Sequence, residues 1–162
     1  MGRVLVRVQP DDFDVAEELD RLAALPGVGA VAQFVGVVRD RPADDPASAT
    51  ADAPTVVGLE LEHYPGMTET ALQSIAERAL AGWPLAAATI LHRVGALTLG
   101  DRIVLTAAAS PHRHAAQEAC AFMMDRLKTD APFWKRELMS DGAARWVAAR
   151  ATDDFASKRW DP

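Results

Sequence analysis

The sequence predicts an α+β fold in a single domain. Short stretches of alternating hydrophobicity recur along the chain, three longer stretches with helical spacing lie among them, and no linker is long enough to separate two domains. At 162 residues the chain can bury a sizeable core without disulfides or metals. Its 49% hydrophobic and 25% charged residues are ordinary for a globular protein.

The elements follow in order. Residues 3–8 alternate, with Val4, Val6 and Val8 set against Leu5 and Arg7, which is the period of a strand. A helix is expected over 14–25: Asp14 and Glu17 have capping-box spacing, Val15, Leu19 and Leu22 form an apolar stripe, and Pro26-Gly27 stops it. Residues 29–38 read as a buried strand running into Arg39. Residues 40–55 are rich in Ala, Asp and Pro without periodicity, the composition of a flexible surface loop. A strand returns at 56–63, followed by a turn at Tyr64-Pro65-Gly66. Thr68 is placed to cap a helix over 68–81, with Leu72, Ile75, Ala76 and Leu80 inward. Two strands, 87–94 and 102–109, are joined by a turn at Gly100-Asp101. Ser110-Pro111 then opens a helix to about Thr129, with Ala116, Cys120, Met123 and Leu127 at core spacing. Pro132 begins a strand through Glu137, and 144–149 forms another. The tail 152–162 is polar and is expected to fray.

Composition narrows the function. No apolar run approaches the ~20 residues that span a bilayer. The opening MGRVLVRVQP reads as a strand rather than a signal peptide. A lone cysteine, Cys120, has no internal disulfide partner, which favours a reducing, cytoplasmic setting. A formal charge of −6 speaks against general nucleic-acid binding. Acids crowd the first third, whereas nine of the seventeen basic residues lie from Arg113 onward, a distribution that suits a site for a small anion. The chain has fourteen arginines but three lysines: Lys128, Lys135 and Lys158. Lysine can lose its proton when desolvated and arginine effectively cannot, so each lysine in such a chain invites a reason.

Candidate chemistry concentrates between Ser110 and Glu137. His112, Arg113 and His114 crowd a helix N-terminus, where cations are unfavourable unless an anion offsets them and where free N–H groups attract phosphate. They are equally readable as exposed polar residues. The two histidines point to different faces of the helix, which weakens a metal reading. Lys128 closes the helix, a position where its charge also helps the helix itself. Met124 lies one turn before it. Strand alternation puts Phe133, Lys135 and Glu137 on one face, and Trp134 and Arg136 on the other. Gly36 within a strand permits a bulge or a close approach, and Arg39 at the strand end is placed for a phosphate fork. His92 and Arg93 sit mid-strand and read as structural. Arg145, Trp146 and Arg150 add charge and an aromatic near the end, and Cys120 belongs to the apolar stripe.

The segments FVGVVR at 34–39, LEHYPGM at 61–67, HRVG at 92–95, HR at 112–113 and above all MDRLKTDAPFWKRE at 124–137 resemble the large, catalytic subunit family of molybdopterin synthase. The resemblance runs in order from about residue 3 to residue 160. It implies an α+β fold with a hammerhead-type β arrangement, about three helices and a small additional antiparallel sheet. It implies conversion of cyclic pyranopterin monophosphate to molybdopterin by insertion of two sulfurs, each carried as a thiocarboxylate on the C-terminal Gly-Gly of a small ubiquitin-like subunit. Two large subunits are expected as a homodimer at the centre of a heterotetramer, with no metal or other cofactor, no nucleic acid and no membrane. Lys128 and Lys135 are then the expected catalytic residues. Arg39, His112, Arg113 and Arg150 would bind the phosphate, Phe34 and Met124 would wall the pocket, and Glu137 would orient Lys135. Which chain of a dimer supplies each arginine and histidine stays open, as does acid/base, charge or covalent chemistry at Lys128. Two departures stand out: the 40–55 stretch is longer and more acidic than the family's, and Gln117 stands where an aromatic is commoner. The rival readings are a non-catalytic anion-binding module and a scaffold that only docks a ubiquitin-like protein.

Overall fold

A computed structural model describes residues 2–41 and 50–162; half of the expected 40–55 loop, residues 42–49, lies outside the described residues. The chain builds two four-stranded sheets. The first contains β1 (Arg3–Gln9), β2 (Ala30–Val37), β4 (Ala87–Arg93) and β6 (Arg102–Ser110) in the order β1-β4-β6-β2. Its β1–β4 pair is parallel and the other two pairs are antiparallel. The second contains β3 (Val56–His63), β5 (Gly95–Thr98), β7 (Phe133–Met139) and β8 (Ala144–Val147) in the order β5-β3-β7-β8, all antiparallel.

Among the described residues four helices complete it: α1 (Val15–Ala23), α2 (Met67–Gly82), α3 (Arg113–Asp130) and α4 (Ala151–Lys158). Side chains alternate across a strand, so β4 presents two apolar faces. Ala88 and Ile90 join Val104 and Ala108 of β6 beneath α2 and α3, packed against Leu72, Ile75, Cys120, Met123 and Leu127. Ala87 and Leu91 face the other way, with Leu105, Ala107 and Ala109, toward Leu22 and Phe13 at α1. Three successive alanines in β6 leave room for helices on both sides. The helix spacing read from the sequence is thereby realised at Ala116, Cys120, Met123 and Leu127, all buried.

Five elements differ from expectation. The strand 30–37 is not buried: β2 is an edge of its sheet, and Phe34 is 44% exposed. Gly66, with φ 85°, is the N-cap of α2 in place of Thr68. Glu69 accepts the Gly66 N–H at 2.6 Å, while buried Thr68 accepts from the Tyr64 N–H and donates to the Pro132 carbonyl. Ser110 ends β6 rather than capping α3; His112 is the cap, and the Ser110 Oγ accepts the His112 N–H at 3.1 Å. Residues 95–98, read as connection, form β5, because the chain leaves the first sheet after Arg93 to pair with β3. The tail is not frayed: it contains α4, making four helices rather than about three, and the Ser157 and Trp160 side chains tie it to α3 at Thr129 and Asp125.

In α1 the inward face includes a carboxylate. Asp14 caps the helix by accepting the Glu17 N–H at 3.0 Å, as its spacing implied. Yet Glu18 is only 5% exposed, whereas Leu19 stays half-buried. Thr89 Oγ1 donates to Glu18 at 2.6 Å and Arg21 Nε at 2.9 Å. Burial alone would raise the Glu18 carboxyl, but these hydrogen bonds and the Arg21 charge hold it below the usual carboxylate value. A carboxyl depressed in the folded state contributes stability above its unfolded pKa, and that stability is lost as pH falls through the folded value. Glu18→Gln is therefore expected to cost about 1–3 kcal/mol at pH 7. In urea titrations the gap between the two proteins should shrink steadily below about pH 4.5; a gap independent of pH would show that the charge is not what stabilises.

Candidate active site

A cavity of about 510 Å³ opens between the two sheets beneath the C-terminal end of α3. Each wall comes from a different element. β7 contributes Phe133, Lys135 and Glu137, alternate residues of one strand face, as the sequence period required. Leu61 and Val147 flank Lys135 in register, and Leu59 and Arg145 flank Glu137. Arg136 turns to the opposite face, where it donates to Glu60 at 2.6 Å and lies over the Trp146 ring.

β2 contributes Phe34, Gly36 and Val37, and Arg39 follows. The pairing of β2 with β6 slips between Gly36 and Val37. A Cβ on Gly36 would come within 2.9 Å of Val104 Cγ1, so a side chain there would have to displace Val104 for the strand to press this close. Beyond the slip, the Val38 N–H donates to Asp101 and the Asp40 carbonyl accepts from Val56, which carries the chain past the cavity from one sheet to the other. α3 supplies Met124, Leu127 and Lys128. The segment after β8 supplies Ala148, Ala149 and Arg150, the cap residue of α4, and the first turn of α4 adds Asp153.

The two lysines lie within electrostatic reach of each other. Lys128 keeps access to solvent at the cavity rim, yet the surrounding walls strip part of its hydration. That desolvation lowers its pKa; Asp153 opposes the shift, and Arg150 and Arg39 add to it. Lys135 is lowered by burial and then by the Lys128 charge, against the pull of Glu137, with Arg150 and Arg39 again contributing. Four cations thus share one cavity with two carboxylates. An amine whose hold on its proton is weakened gives it up more readily than an ordinary lysine, and the remaining charges suit an anion.

Seven of the nine residues singled out from sequence meet here: Phe34, Arg39, Met124, Lys128, Lys135, Glu137 and Arg150. His112 and Arg113 do not. They are exposed at the other end of α3, and at 1.5 Å per residue the helix separates Arg113 from Lys128 by roughly 22 Å. Cys120 lies off the cavity in the core; burial pushes its thiol pKa up, against a hydrogen bond with Thr106. Sequence reasoning missed Asp153, because the tail was taken as frayed. The acid pair Asp153-Asp154 three to four residues after Arg150 was the available signal, since acids favour a helix's first turn. His92, read from sequence as more a structural than a functional residue, is buried and lines the cavity.

A sequence model of the MoaE protein family matches residues 8–130. The chain belongs to this family. It is 48% identical to the molybdopterin synthase catalytic subunit of Vibrio cholerae, over 96% of this chain and 97% of that one. It is 46% identical to the subunit of the same name from Escherichia coli, over 99% and 100%. Among solved structures, the molybdopterin biosynthesis MoaE protein from Burkholderia ambifaria superposes with a TM-score of 0.77 at 48% identity, covering 97% of both chains. Molybdopterin synthase from Staphylococcus aureus gives 0.73 at 28% identity, covering 91% of this chain and 96% of that one.

The mutual influence of the lysines is testable by timed acylation and peptide mass spectrometry near pH 8. Lys128→Met removes the charge that helps depress Lys135, so Lys135 should regain affinity for its proton and label several-fold more slowly. Asp153→Asn should act oppositely and speed labelling of Lys128. Unchanged rates in both variants would place the amines too far apart to couple.

Proposed function

We propose that this chain is the catalytic subunit of a molybdopterin synthase, a sulfurtransferase that converts cyclic pyranopterin monophosphate to molybdopterin. The observation that carries the reading is the meeting of Lys128 and Lys135 in one cavity with Arg39 and Arg150. Membership of the MoaE family and near-full-length likeness to named catalytic subunits support it. Sulfur arrives on the C-terminal Gly-Gly thiocarboxylate of a small ubiquitin-like carrier, and two sulfurs are inserted. The nearest thiol of the chain itself, Cys120, is buried and raised in pKa, which suits an external sulfur source.

In this reading Arg39 and Arg150 hold the substrate phosphate, since a guanidinium fork matches phosphate oxygens and stays charged. Lys128 is the principal group at the reacting atoms, acting through its proton or its charge, and Lys135 draws the thiocarboxylate beside it. Glu137 orients Lys135. Phe34 and Met124 wall the flat pterin. His112 and Arg113 act from a second copy of the chain in a central homodimer, with one carrier docked at each end of the heterotetramer. The enzyme works in the cytoplasm, where a lone reduced cysteine is at home; among the described residues no helix is long and apolar enough to cross a membrane.

The assay mixes the protein with thiocarboxylated carrier and cyclic pyranopterin monophosphate and follows dithiolene formation. Lys128→Ala is expected to lose at least ~10²-fold in turnover, the scale for one positioned catalytic group. Lys128→Arg separates two roles: it stays poor if a proton moves and recovers if charge alone matters. Turnover near wild type in Lys128→Ala would remove the lysine from the chemistry.

A further inference from the structure

The cavity wall holds one group that the reaction proposed above leaves idle. His92, next to last in β4, is 5% exposed and lines the cavity beside Phe133. Two contacts immobilise it. Its ring stacks on Phe133 with centroids 3.8 Å apart and planes 17° from parallel, and its Nδ1 lies 2.7 Å from the Arg93 carbonyl oxygen. A carbonyl oxygen only accepts, so Nδ1 carries the ring proton and Nε2 keeps its lone pair. Among the described residues no hydrogen bond is made to Nε2. Burial pulls the ring's pKa down to about 4; the Arg93 carbonyl resists, and the Lys128 and His63 charges add to the fall. The imidazole is therefore neutral near pH 7.

The other polar side chains of the cavity define what such an acceptor does. Lys128, Lys135, Arg39 and Arg150 bear positive charge and suit an anion. Glu137 and Asp153 accept, but as full anions whose fields fall on Lys135 and Lys128. For a ligand that sets an anion among the cations and also carries a neutral N–H or O–H, His92 is the neutral side-chain acceptor among the described polar groups of the wall. A donor left unmet in a partly dry cavity weakens binding more than its hydrogen bond alone would suggest.

We propose that Nε2 of His92 is a neutral side-chain hydrogen-bond acceptor in this cavity and selects, among small anions, a heterocycle that offers an N–H or O–H donor beside its phosphate. This rests on the reading of the cavity as a phosphopterin site and adds a specificity-determining residue to it.

Three variants separate the ring's contributions. His92→Phe keeps a flat ring on Phe133 without nitrogen, His92→Asn restores a donor near Nδ1 only, and His92→Gln restores an acceptor near Nε2 only. Steady-state kinetics with the thiocarboxylated carrier should show KM for cyclic pyranopterin monophosphate rising about 10-fold in His92→Phe and His92→Asn, with kcat nearly unchanged and recovery in His92→Gln. Thermal melts accompany each variant, and should His92→Phe fold poorly the Asn and Gln pair decides. Wild-type KM in His92→Asn overturns the proposal while the synthase reading stands. Failure of the wild-type protein to turn over sinks the synthase reading and this one with it. Nitrogen-15 NMR of the imidazole gives a readout independent of turnover. The Nδ1–H tautomer is expected in the free protein, with the Nε2 resonance moving when cyclic pyranopterin monophosphate is added. An Nε2–H tautomer, or a resonance that stays still, overturns the assignment.

Discussion

The site depends on like charges gathered around one cavity whose walls strip part of their hydration. Lys128, Lys135, Arg39 and Arg150 share a cavity that two carboxylates only partly neutralise. Loss of hydration against the cavity walls is the largest cause of the lowered lysine pKa values, and the neighbouring arginines, which cannot lose a proton, add to the fall. Two consequences follow from the same physics. Both amines hold their protons less tightly than ordinary lysines. An anion bound beside them would tighten that hold, so binding and protonation are linked at one place.

Such a cluster persists only because the scaffold around it is costly to deform. α3 is fixed along its length by Ala119, Cys120, Met123 and Leu127 against the first sheet, which aims Lys128 from the helix's last turns. Lys135 and Glu137 are aimed by β7, paired on both sides. Arg150 and Asp153 come from α4, whose far end is anchored by aromatic contacts. Trp160 meets Trp83 and Phe122 edge-on at 5.7 Å each, and its indole N–H donates to Asp125 at 2.8 Å. The wall of the cavity farthest along the chain is thereby held by a cluster on the outer side of α3.

What the sequence made legible, and what it hid, divides along local and non-local lines. Strand period placed Phe133, Lys135 and Glu137 on one face, and helical period placed the buried stripe of α3; both are properties of consecutive residues. The bulge at Gly36 was readable because a glycine inside a strand has few other uses. β5 was hidden, since Gly95–Thr98 is short and becomes a strand only because β3 lies beside it. Glu18 was hidden for a related reason: its partner Thr89 is distant in sequence, and a charged residue on an inward face contradicts any hydrophobic stripe. α4 has eight residues and a polar composition, and its order comes from docking on α3 rather than from its own propensity. The family resemblance singled out seven residues that line the cavity and two, His112 and Arg113, that do not, while geometry alone revealed that His92 belongs to the wall.

The position of His112 and Arg113 constrains the assembly more than any single contact. Both stand at the start of α3 and Lys128 near its end, and the helix between them packs on a sheet along one whole face. No bending that preserves that packing brings one end to the other within a chain. If the basic N-terminus of α3 and the lysine cavity act on the same phosphate, the two must come from different copies of the chain, the N-terminus of one helix set against the cavity of the other. The charge pattern agrees with such sharing. His112, Arg113 and His114 gather at the positive end of a helix dipole, an arrangement unfavourable in isolation that an anion presented by a neighbouring subunit would offset.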